Sequence, residues 1–182
     1  MKKTVLTYGL IAGAVLSAMV AITIPFHDAI GFDYAVVVGY TSMVLAFLLI
    51  FFGVRSYRDN VGGGTVRFGR AFAVGISISA VASLLYVATW QVIYYNFTPD
   101  YMQKYQAHVL EKARANGESA EAIAKRKAET DGYIEMYKNP LLIAATAFLE
   151  PLPVALIVSL VSAGVLSRRR KDEPLAEARV AT

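Results

Sequence analysis

The sequence predicts an all-α integral membrane protein: a four-helix bundle of spanning helices with an extracytoplasmic helical hairpin between spans three and four. Three observations carry this. Of 182 residues, 18% are charged and 56% hydrophobic, against roughly 25% and 45 to 50% in soluble proteins, so too few charges remain to clothe a water-facing surface. Three windows of 20 or more residues hold no charge at all, and about 20 apolar residues match the ~30 Å hydrocarbon core of a bilayer. Lys and Arg gather between those windows in the pattern that orients membrane helices. With no Cys, disulfides, iron-sulfur clusters, thiolate nucleophiles and all-Cys zinc sites are excluded, and two His cannot form a three-His catalytic site.

The first span covers about 5–24, opened by Lys2 and Lys3 and closed by Pro25. Its basic start followed by an apolar run resembles a secretory signal, but Met19 before Ala21 makes a poor cleavage site, so a retained helix is expected. The second span, about 34–54, stops at Arg55, Tyr57, Arg58 and Asp59. The third, about 71–95, closes with Trp90, Tyr94 and Tyr95, amphipathic rings suited to the headgroup layer. The fourth, about 141–166, stops at Arg168, Arg169, Arg170 and Lys171. Residues 1–171 thus form one membrane domain, and 172–182 have the composition of a disordered cytoplasmic tail.

Basic residues set the orientation. Two lie at the N-terminus, four between Arg55 and Arg70, and five in the tail, against none between Pro25 and Asp33. Both termini are therefore expected in the cytoplasm, with the chain multi-pass in the membrane. The segment 96–140 holds seven basic and seven acidic residues, and at this length and zero net charge it weighs little against that bias. The sequence pI of about 9.3 reflects the same bias and does not imply nucleic-acid binding; the expected partner is the lipid bilayer.

Between spans three and four the pattern becomes that of soluble helix over 98–138. Thr98, Pro99 and Asp100 supply an N-cap, a first-turn proline and an acid favourable to the helix dipole. Tyr101, Tyr105 and Val109, with Met102 and Leu110, make one apolar face, and Asn116 with Gly117 ends the helix. A second helix starts at Ser119 and passes Ile123, Ile134 and Tyr137; Asn139 with Pro140 is expected both to end it and to begin the fourth span, so that the helix runs almost continuously into the membrane. The aromatic stripe would pack on the hairpin itself or on headgroups, or dock a membrane or periplasmic protein partner.

The stretch F-F-G-V-R-S-Y-R-D-N-V-G-G-G-T-V-R-F-G-R-A-F over 51–72 resembles the bacterial four-span family called domain of unknown function 4199. So do W-Q-V-I-Y-Y-N-F-T-P-D-Y, N-G-E-S-A-E, Y-K-N-P and F-L-E-P-L-P-V, in that order. The resemblance covers about 6–170 and implies an integral inner-membrane protein with this span count. It carries over no catalytic, cofactor or binding residue.

Glu150 is the one ionisable residue within the fourth apolar stretch, and an intramembrane carboxylate is costly enough to be a functional candidate. Pro151 and Pro153 lack N–H groups and obstruct carbonyls one turn back, so a kink is expected there. Glu150 would either handle an ion or proton, or brace the kink through Gln91, a Tyr hydroxyl or water. Small residues recur every fourth position: Gly9, Gly13, Ser17 and Ala21; Gly75, Ser79 and Ser83; Ala155, Ser159 and Ala163. Such stripes let membrane helices approach closely; the alternative is a polar path along Ser77, Ser79, Ser83 and Thr89.

Gly62, Gly63 and Gly64 lack the following Lys and the strand-loop-helix frame of a phosphate loop. With Arg55, Arg58, Arg67 and Arg70 they read as a cytoplasmic turn whose cations, like Arg168, Arg169, Arg170 and Lys171, face lipid phosphate. His27 with Asp28 and Asp33, and His108 with Glu111, are fragments of three and two candidate ligands, too few for a closed four-ligand metal site. No cofactor is expected. The functional expectation is a non-enzymatic scaffold or partner-binding protein acting through the outer hairpin, with a small ion or solute transporter or channel using Glu150 as the rival.

Overall fold

The computed structural model describes residues 1–26 and 31–167. The features read on His27, Asp28, Arg168, Arg169, Arg170, Lys171 and the tail 172–182 lie outside the described residues. Among those described, every regular element is helical. The first uncharged window forms α1 (Lys2–Thr23), followed by a 3₁₀ turn at Ile24–Phe26. The next two form α2 (Phe32–Asn60) and α3 (Phe68–Phe97), both longer than their apolar windows. Charge ends a bilayer span but not a helix, so α2 continues through Arg55 to Asn60, where Asp59 accepts from Arg58 Nε at 2.7 Å. Gly63 and Gly64 then turn the chain with φ of +62° and +86°, backbone that glycine adopts without steric cost.

Two amphipathic helices follow, α4 (Tyr101–Ala115) and α5 (Ala120–Met136). Asp100, not Thr98, flanks the start of α4, because Pro99 and Asp100 form a turn in which Tyr101 N–H donates to the Thr98 carbonyl at 3.1 Å. Asn116 and Gly117 end it in a Schellman arrangement: Glu118 N–H donates to Ala113 O and Gly117 N–H to Arg114 O, each at 3.0 Å, with Gly117 at φ +70°. Ser119 caps α5 by accepting from Ala122 N–H at 3.2 Å. The pair is antiparallel: Gln106 Nε2 donates to Thr130 Oγ1 and Asp131 Oδ1 at 2.8 and 2.7 Å, while Arg126 grips both oxygens of Glu118 at 2.7 and 2.8 Å.

The expected near-continuous run from the second helix into the fourth span is broken. Asn139 is extended and its Oδ1 accepts from Leu141 N–H at 2.9 Å, so it starts a separate helix, α6 (Pro140–Leu149), with Pro140 in its first turn. A second break at Glu150 and Pro151 leads to α7 (Leu152–Leu166). Pro151 and Pro153 withhold the N–H groups that would have served the carbonyls of Ala147 and Leu149.

α1, α2, α3 and the α6–α7 pair are each long and apolar enough to cross a membrane. α3 lies at the centre and touches α1, α2, α6 and α7. Phe47, Leu16, Ile50, Ile78, Val54 and Val74 are fully buried between them. Leu6, Ile22, Val37, Leu84, Leu141 and Ile157 face outward on the same segments; continuous apolar surface of this kind suits lipid and not water.

The close approaches occur where small residues lie. A Cβ built at Gly13 would stand 2.9 Å from the Cβ of Leu85 and 3.1 Å from the Cα of Ala82, so α1 and α3 touch nearly backbone to backbone. Gly75 meets the buried Ser159 of α7 in the same way, with Ser79, Ser83 and Ala163 also buried. Gly53 belongs to this set, its position filled by Ile78 and Tyr8; lying outside any four-residue stripe, it escaped the sequence reading.

Candidate functional site

The packing is uneven along α2. Ser42, Met43, Ala46, Phe47, Ile50, Gly53, Val54 and Tyr57 are buried, but no residue of 32–41 is. The first ten residues of α2 therefore stand away from the core, and the gap between them and α1, α3 and α6 is a cavity of about 380 Å³. That volume is in the range of small-molecule sites. Leu16, Met19 and Val20 of α1 and Val36, Gly39 and Met43 of α2 make its apolar walls. Tyr86 and Trp90 of α3, with Thr146, Ala147 and Glu150 of the fourth segment, form the opposite wall. Tyr101, Met102 and Tyr105 of α4 and Tyr137 after α5 close one end.

The aromatic side chains hold this end together. Phe32, in the first turn of α2, lies 5.6 Å from the rings of both Tyr101 and Tyr105 and 5.3 Å from that of His108. Trp90 meets Tyr101 edge to face at 5.4 Å, and Tyr137 meets Tyr94 at 5.5 Å, arrangements worth about 0.5 to 1.5 kcal/mol each beyond their area. Lys112 Nζ adds an ion pair, donating to both oxygens of Asp33 at 2.7 and 2.8 Å. The apolar face of α4 is thus spent on the start of α2 and on the cavity.

Glu150 reaches the cavity from the break between α6 and α7, roughly 15 Å along from Pro140 at ~1.5 Å per residue. Its Oε2 accepts from the hydroxyl of buried Tyr86 at 3.1 Å. Gln91, one of the partners expected for it, points elsewhere: its Nε2 donates to the Pro140 carbonyl at 2.8 Å. Gln91 therefore ties α3 to the start of α6, one and a half turns beyond Tyr86, and bears on the fourth segment without touching the carboxylate. Tyr101 and Tyr137 crowd the same space. Burial pushes the Tyr101 phenol up to about 12, the neighbouring Tyr137 and Glu150 adding to it; burial likewise raises Tyr137, against a hydrogen bond with Thr146.

The remaining sequence candidates fall outside the cavity. Thr89 Oγ1 donates to Ser17 Oγ at 2.8 Å across α1 and α3, Ser77 and Ser79 bond to their own helix, and Ser83 is enclosed in the core. These four hydroxyls do not line one path. Arg55 and Arg58 both lie against Asp59, Arg67 precedes α3, and Arg70 Nη1 lies 3.7 Å from the Met1 sulfur. Asp33 is engaged by Lys112, and among the described residues no three His, Asp or Glu side chains group to hold a metal ion. A second cavity of about 310 Å³ beside the first has Asp33, Lys112, Glu118 and Arg126 on its wall, but these charges are already paired with each other.

Four apolar segments with lipid-suited surfaces and a recess roofed by an amphipathic helix define a helical protein embedded in a membrane. The chain belongs to the family described as Protein of unknown function (DUF4199), matched over residues 7–168. No curated protein and no solved structure matches it.

Proposed function

We propose that this chain is a multi-pass protein of the bacterial inner membrane, with both termini cytoplasmic and α4–α5 on the outer face, that binds or carries a small, largely apolar solute. The observation that carries the reading is the cavity itself: about 380 Å³, bounded by all four spanning segments, roofed by α4 and containing one carboxylate. The recess is half open to its surroundings, and a concave, mostly apolar space of this size with one polar group is the usual form of a small-molecule site.

The scaffold reading drew on α4–α5 being the largest polar feature of the chain. It is the weaker of the two, because the aromatic face that would serve a partner is turned onto Phe32, Trp90 and the cavity. Gly39 lines the cavity and has open space where a Cβ would stand, so Gly39→Phe fills the recess without displacing the core. Mass spectrometry of small molecules retained by protein taken from native membranes into nanodiscs provides the test. A compound held by wild type near one per chain and lost from Gly39→Phe is the expected result; identical extracts from both would overturn the reading.

A further inference from the structure

We infer that the solute is an organic cation of mixed character, a hydrophobic amine or quaternary onium ion, held by Glu150 against the aromatic wall of the cavity. This deepens the solute-binding reading above and rests on it.

Charge selects the sign. Glu150 is the one Asp, Glu, Lys, Arg or His among the described residues lining the cavity, so the recess holds one acidic side chain and no basic one. On the adjoining helix α4, Lys104 is paired with Asp100 and Lys112 with Asp33. An ionised carboxylate has about four acceptor positions, and the hydroxyl of Tyr86 occupies one of them. An apolar surrounding makes an uncompensated carboxylate costly, and a cation sharing the recess removes that cost, whereas an anion adds to it.

The walls select the kind of cation. A hard inorganic ion gives up its water only to a converging set of oxygens, six to eight for Ca²⁺; the cavity has one carboxylate, and its Thr23, Ser42 and Thr146 hydroxyls are engaged by their own helix backbones. An onium ion spreads its charge over carbon and has no shell to replace. Its apolar arms match the aliphatic wall, and its charge is attracted by ring faces within about 6 Å. Tyr86, hydrogen-bonded to the carboxylate, and Trp90, Tyr101 and Tyr137 on the walls of the same cavity supply those rings.

Trp90 makes the inference directly measurable, because it is the single Trp of the chain and lines the cavity. The full chain in nanodiscs of zwitterionic phosphatidylcholine is titrated with tetraphenylphosphonium and with tetraphenylborate, ions of matched shape and opposite charge, with empty nanodiscs subtracted. Saturable Trp90 quenching by the phosphonium, absent with the borate and weakened tenfold or more in Glu150→Gln at unchanged thermal unfolding, is the expected result. Gly39→Phe should abolish it. Equal binding of both ions, or a folded Glu150→Gln variant that binds the phosphonium as wild type does, would overturn the cation assignment while leaving a ligand cavity in place. No saturable response to either ion would overturn the cation assignment and count against the cavity reading as well. If Glu150→Gln does not fold, the cation-to-anion comparison in wild type decides alone.

Discussion

Substituting Gly9 by Ala should separate two helices that the fold requires in contact. A Cβ at Gly9 would stand 2.6 Å from the Cβ of Val81, 2.8 Å from its Cγ1 and 3.0 Å from the carbonyl oxygen of Ile78. Carbon atoms in contact settle at about 3.5 to 4.0 Å, so α1 and α3 must part by roughly 1 Å at this point. No change of rotamer relieves the clash, because the Cβ of Val81 and the carbonyl of Ile78 are fixed to the backbone. Overpacking of this kind costs about 1 to 3 kcal/mol. The control is Gly39→Ala, whose Cβ meets nothing within 4 Å. Both substitutions gain helix propensity, about 1 kcal/mol for Gly to Ala, and that gain cancels in their difference. Thermal unfolding in one detergent should therefore place Gly9→Ala below Gly39→Ala by about 1 to 3 kcal/mol. Equal stability of the two variants would refute the close approach of α1 and α3.

Three further outcomes are expected. Glu150→Leu should destabilise by about 1 to 3 kcal/mol, the cost of leaving a buried donor unpaired, since Tyr86 loses its acceptor; Glu150→Gln should be nearly silent, and adding Tyr86→Phe to the Leu variant should recover stability in the same unfolding assay. Arg126 beside Glu118, and Lys127 then Gln106 beside Asp131, hold those carboxyls below their usual range. Folded values below the unfolded ones mean a contribution present above the ordinary carboxylate range and lost as pH falls through the folded values. Amide protection factors in α4 and α5, measured against the intrinsic exchange rate at each pH, should accordingly fall under acid conditions while those of α3 hold, and a uniform fall across all helices would speak against a separately titrating α4–α5 pair. A phosphatase fusion after Ala115 should be active and one after Gly63 inactive; the reverse would invert the proposed orientation.

Much of the architecture was legible because the bilayer imposes a length and a composition that charge-free windows reveal. Four candidate spans and an all-helical chain follow from them directly, and the caps at Ser119 and Asn139 follow from local chemistry that needs no tertiary information. Helix ends were less legible: α2 runs on to Asn60 and α3 starts at Phe68, because helical hydrogen bonds persist in water where apolar periodicity stops. The partner of Glu150 could be narrowed to Gln91, a Tyr hydroxyl or water, but not chosen. Tyr86 lies 64 residues away, and whether it or Gln91 faces Glu150 depends on the rotation and register of α3 against the fourth segment. The cavity left no trace in the sequence at all. It exists because 32–41 is apolar yet unburied, and lipid-facing and cavity-facing apolar residues have the same composition. Tyr101 and Tyr105 announced an apolar face, and only the fold shows that Phe32 and Trp90 receive it.

The most direct measurement of the central claim, that a space reachable by small molecules lies beside Glu150, uses the absence of Cys from the chain. A single thiol is placed at Gly39, on the cavity wall, or at Ala82, which is fully buried between helices. Each protein in nanodiscs is exposed to a water-soluble methanethiosulfonate, which reacts with thiolate and so only where water reaches. Modification of Gly39→Cys at least tenfold faster than Ala82→Cys is the expected result; equally slow modification of both would mean that the recess is closed, and with it the proposed site.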